Sequence, residues 1–127
     1  MAVQNTYNIG SALRSVNNDS TAIASSGLRL VVGATGLTTL APIGSRGSFV
    51  SLEYIEASKP GAAAAYFSGG EVPAIGTGAT SVGDTAYTAA SGQFANTSGA
   101  NALIVGLWTQ ACPGAGQLGS VELNNSL

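Results

Sequence analysis

The chain has 127 residues, no histidine and a net charge of −2, and only 8% of it is charged, against roughly a quarter in ordinary soluble domains. That length makes one domain with little apolar surface to spare. Four basic residues (Arg14, Arg29, Arg46 and Lys59) are spread over the whole chain. They cannot form the cationic stripe that phosphate neutralisation requires, so nucleic acid is not an expected partner.

Other classes fall away on the same grounds. No apolar run approaches the roughly 20 residues that span a bilayer, and the N-terminus lacks the basic-then-apolar order of a signal peptide. We therefore expect no membrane association and synthesis in a cytoplasm. The single cysteine, Cys112, excludes an intrachain disulfide framework and, beside Pro113, reads as a small packed hydrophobe. The commonest general base and metal ligand is missing with histidine. The six acids are scattered, and no nucleophile elbow, zinc spacing, calcium loop or phosphate loop is present. The expectation is a non-enzyme with no cofactor and no metal. Apolar residues are at an ordinary 45%, yet few charges remain to cover a free surface, which predicts coverage by neighbouring subunits.

In chain order, residues 1–26 read as an extended N-terminal arm and 27–127 as a β domain expected to fold without it. The arm is rich in Asn, Ser and Thr, with isolated apolar residues at Val3, Tyr7, Ile9 and Leu13. Ile9, Leu13 and Val16 are spaced for a helical turn, but Gly10 and the asparagines oppose it. The arm is either a frayed terminus or a segment that orders against a neighbour.

Leu28 to Val32 is the first strong strand, with Arg29 its one charge. Leu37 to Leu40 reads as a loop or a short strand. Ser48 to Glu56 alternates most clearly, placing Val50, Leu52 and Tyr54 on one face and Phe49, Ser51, Glu53 and Ile55 on the other. Ala62 to Phe67 fits a short helix or a short strand with Tyr66 or Phe67 inward, and Glu71 to Ser81, with Pro73, reads as a loop. Thr85 to Thr88 is a strand with Ala86 and Thr88 on one side and Tyr87 on the other. Ser91-Gly92 turns the chain and Gln93 to Ala95 returns it. Ala102 to Trp108 alternates Leu103, Val105 and Leu107 against Ile104 and Trp108. The last strand, Leu118 to Leu123, points Val121 and Leu123 inward and Glu122 outward. Val31 to Gly33 followed by Gly47 to Glu53 faintly echoes Ile104 to Gly106 followed by Gly119 to Leu123, as two hairpins packed face to face would. The class is all-β, a small β-sandwich or barrel-like domain of short strands.

The final third carries a motif: Val82-Gly83-Asp84 with Tyr87, a glycine turn, Ile104-Val105-Gly106, a Gly/Ala-rich turn, and the closing Ser120-Val121-Glu122-Leu123-Asn124. This pattern resembles the capsid decoration (cement or head-stabilising) proteins of tailed bacteriophages. The resemblance implies a structural virion protein on the outer capsid surface, bound to the major capsid protein as a homo-oligomer, a trimer by preference. It would stabilise the expanded head by clamping neighbouring capsomers. It also implies that the arm makes contacts, which nominates Val3, Tyr7, Ile9, Leu13 and Arg14. Trp108, the only tryptophan, is either core filler or a further contact anchor. Two other readings stand beside this one: a tail-tube or head-fibre subunit, and a carbohydrate- or ligand-binding β-module with Trp108 or a tyrosine stacked on a sugar.

Overall fold

The computed structural model describes residues 13–66 and 69–124. They fold into two five-stranded antiparallel sheets packed as a small β-sandwich, not a closed barrel. The first sheet holds β1 (Leu13–Asn17), β2 (Arg29–Val32), β3 (Thr38–Leu40), β4 (Phe49–Ser51) and β5 (Pro60–Ala65), in the order β1-β5-β4-β2-β3. The second holds β6 (Gly70–Ile75), β7 (Thr85–Thr88), β8 (Phe94–Ala95), β9 (Ile104–Gln110) and β10 (Leu118–Leu123), in the order β6-β10-β9-β7-β8.

The two sheets are the same unit built twice. The second order is the first with every strand number raised by five. In each sheet the residue that follows the first strand reaches the third by an isolated parallel bridge, Asn18 to Thr38 and Gly76 to Phe94. Loop bonds repeat as well. The Ile23 N–H donates to the Ile55 carbonyl at 2.9 Å, and the Thr80 N–H donates to the Cys112 carbonyl at 2.9 Å. The Gly33 N–H donates to the Leu37 carbonyl at 2.9 Å, and the Ala89 N–H to the Gln93 carbonyl at 3.0 Å. Left-handed glycines recur 56 residues apart (27 to 83, 36 to 92), with φ of +85°, +92°, +83° and +76° in the order Gly27, Gly83, Gly36, Gly92. Only glycine adopts that conformation without a Cβ penalty, so turn chemistry repeats where side chains have diverged. The hairpin echo expected from sequence is out of step with this repeat. It sets β2 against β9, whereas strand order sets β2 against β7 and β4 against β9. Shared Gly and Val content produced that echo; hydrogen-bond pairing defines the units.

The arm expected over 1–26 does not end where the domain begins. Val3, Tyr7 and Ile9 lie outside the described residues, but Leu13–Asn17 pair with β5 along five residues. Val16 and Ile23 are buried in a core cluster with Leu28, Leu30, Ile55, Ala63 and Ile75. One of the asparagines that oppose a helix, Asn18, serves the loop instead. The Asn18 side-chain amide donates to the Thr21 carbonyl at 2.8 Å and to the Glu56 carbonyl at 3.2 Å.

Three strand expectations also change. Residues 70–75 form β6 rather than a loop: β6 is an edge strand, where Pro73 loses no ladder bond by lacking an N–H. Ala62–Ala65 lie in β5, so the alanine run is strand, with Tyr66 buried after it. The long strand over 48–56 stops at Ser51. Beyond it Glu53 accepts the Ala62 N–H at 2.8 Å, Tyr54 turns out to solvent, and Ile55 folds back onto Ile23.

β9 departs from simple alternation. Register shifts against both neighbours leave Val105 and Thr109 as extra residues. The bulge at Val105 resets the phase by one, so Val105 and Trp108 are buried together in the larger core cluster. Trp108 meets Phe94 edge-on, centroids 6.3 Å apart, and donates its indole N–H to the Ala95 carbonyl at 3.2 Å.

Candidate contact surfaces

In the first sheet, cross-strand pairing aligns Arg29, Val50 and Ala64 in one row. All three are fully buried, with Val50 and Ala64 in the same core cluster as Val72, Phe94, Trp108 and Val121 of the second sheet. Arg29 reaches furthest. Its Nε donates to the Gln93 carbonyl at 3.1 Å, Nη2 donates to the Ala89 carbonyl, and Nη1 to the Ser45 carbonyl. The guanidinium lies 5.7 Å from the centre of the Phe94 ring. Burial brings its pKa down to about 10, which leaves it charged at neutral pH. Carbonyl dipoles and a ring face therefore replace its hydration.

The equivalent row in the second sheet is Thr85, Leu107 and Glu122, aligned by the same pattern of pairing. This row is open. Leu107 is 51% exposed and its strand neighbour Ile104 is 41% exposed. With Gly106, Leu123 and Asn124 they line a groove of about 570 Å³. Arg46 closes one rim by donating its Nε to the Ile104 carbonyl at 2.7 Å. Tyr66 lies below, its hydroxyl 3.4 Å from the Val105 carbonyl, and burial raises its pKa.

Next to the groove, Glu71 stands directly opposite Glu122 across β6 and β10. The Thr109 hydroxyl donates to Glu71 Oε2 at 2.6 Å and the Ser120 hydroxyl donates to it at 3.1 Å. This cluster resembles a nucleophile with an acid, but it lacks an imidazole to take the hydroxyl proton, since the chain has no histidine. Among the described residues no group of three or more potential metal ligands comes together. The face sets exposed Leu107 and Ile104 beside the polar Thr85, Glu122 and Asn124.

The residues nominated from sequence are not brought together. Leu13 is 55% exposed on edge strand β1, and with Arg14, Ser15, Gly61 and Ala62 it lines a separate shallow groove. The Arg14 Nη1 donates to the Leu13 carbonyl at 2.9 Å. Trp108 is 1% exposed; of its two readings the core filler holds and the contact anchor is corrected, because the bulge at Val105 sets Trp108 on the inner face with Val105. Ile104, Leu107 and Thr85 were not nominated. Alternation over Ala102 to Trp108 set Leu107 and Ile104 on opposite faces, and only the bulge at Val105 leaves both outside; Thr85 carried no signal of its own. The chain matches no family model and no curated protein sequence.

Proposed function

We propose that this chain is a structural subunit of a bacteriophage virion, seated on the outside of the capsid as a homotrimer and clamping neighbouring capsomers of the major capsid protein. Its mechanism is thermodynamic: binding only the expanded lattice stabilises that state by mass action. The observation that carries the reading is the open Thr85–Leu107–Glu122 face, which exposes Leu107 and its strand neighbour Ile104 in a chain of only 8% charged residues. Such a face on a free monomer invites aggregation, whereas on a lattice it is covered. The motif over residues 82–124 lies in the sheet that presents this face, which ties the resemblance to that surface. Burial of Trp108 removes it as the stacking platform for a sugar.

The test is co-sedimentation of the purified full chain with expanded and with unexpanded phage heads. Binding to expanded heads alone is expected. An intact, folded protein that pellets with neither would end this reading.

A further inference from the structure

The repeat makes one surface of the molecule interpretable without reference to a capsid. Within the chain, the second unit's turn at 89–93 seats on the first unit's buried row: the Ala89 and Gln93 carbonyls hold the Arg29 guanidinium. The Gly92 N–H donates to the Ala41 carbonyl at 2.8 Å, and a Cβ at Gly92 would lie 2.7 Å from the Arg29 carbonyl. This is a close backbone-to-backbone contact between one unit's turn and the other unit's sheet face.

Each partner in that contact has a counterpart that stays uncovered. The counterpart of the 89–93 turn is the turn at 33–37, closed by the same N–H to carbonyl bond four residues on and carrying Gly36 where the other carries Gly92. Residues 33–36 are all exposed. The counterpart of the Arg29–Val50–Ala64 row is the Thr85–Leu107–Glu122 row, which lines the open groove. One molecule thus holds a turn and a face in contact, and presents a second turn with residues 33–36 exposed and a second face with Leu107 exposed.

From this we infer that the groove over Leu107 receives the 33–37 turn of a second copy of this chain, in a contact that repeats the one inside each molecule. The occupant follows from continuity with the internal interface, since in the first unit the Arg29 end of that row is covered by the other unit's turn. The contact is heterologous: a turn on one copy meets a face on the next, which leaves the first copy's face and the second copy's turn free. Such contacts close into a cyclic ring when the rotation permits and otherwise extend as a filament. Leu107 and Ile104 supply the apolar centre, and Gly36 admits close approach of the turn backbone.

The experiment is sedimentation velocity of the full chain without capsid, using Leu107→Glu on the face and Thr35→Lys on the turn. Both positions are exposed, and circular dichroism confirms that each variant is folded. Wild type is expected to associate reversibly in the micromolar range, and each variant to associate at least about tenfold more weakly. Mixing the two variants is the decisive arm. A copy with an intact face and a copy with an intact turn form one contact, so the mixture yields dimers and nothing larger. A wild-type chain that stays monomeric, or variants that associate as it does, would overturn the inference, as would a mixture that forms no dimer. Head binding by a monomeric wild type would remove this interface and leave the capsid reading standing.

Discussion

Arg29 shows how a buried cation can be held by backbone carbonyls and an aromatic face. Its planar fork meets carbonyls from two different loops, at Ser45 and at Ala89 and Gln93. A lysine keeps the charge but cannot match that fork. Arg29→Lys is therefore expected to lower stability by about 3 kcal/mol in urea unfolding, because an unmet buried carbonyl costs more than a lost surface bond. Asp84 works at the surface in the opposite sense. The Asn96 amide and the Ser81 N–H both donate to its Oδ2 at 2.8 Å, and these bonds hold its pKa below the ordinary aspartate value. A depressed folded pKa contributes stability that is complete above the unfolded value of about 4 and is lost as pH falls through the folded value. Asp84→Asn should unfold at a lower temperature than wild type at neutral pH, with the two melting curves converging in acid. A constant gap down to low pH would show that the carboxylate charge is not the source.

Among the elements, β9 decides most. The bulge at Val105 lets Val105 and Trp108 both enter the core and leaves Ile104 and Leu107 outside. Gly106 makes this possible, since a Cβ there would sit 1.9 Å from the Glu122 carbonyl oxygen. Gly106→Ala is expected to destabilise the fold by about 3 kcal/mol, since the obstacle is a backbone atom in a paired strand. Gly78→Ala, where a Cβ meets nothing within 4 Å, is the control and should stay within about 0.5 kcal/mol of wild type. Thermal melts of the two variants provide the comparison. β6 is the other instructive element. Its proline reads as a loop signal in sequence, and only its place at the sheet edge makes it a strand residue.

For the whole molecule, the question is whether two repeated units behave as two domains. The larger core cluster draws Val50, Ala64 and Tyr66 from one sheet and Phe94, Trp108 and Val121 from the other, and Arg29 bonds across the same boundary. Neither unit buries its share without its partner, which predicts a single cooperative transition. Trp108 fluorescence reports the second sheet and far-ultraviolet circular dichroism reports both. Their denaturation curves should coincide; separate midpoints would mean that the units fold independently.

The all-β class, β7 with its Ala86 and Thr88 inside, and the inward Val121 and Leu123 of β10 were all set by local pattern, because alternation and turn glycines act over a few residues. The lack of histidine and the scarcity of charge were legible there too, since they depend on no fold. What pairing and packing alone decided was long-range. Strand order revealed the repeat, the core claimed Val16 and Ile23 from an expected arm, and the bulges exchanged Trp108 for Leu107 at the surface. Those outcomes turn on contacts between residues far apart in the chain, where a single extra residue in one strand reverses which side chains meet solvent.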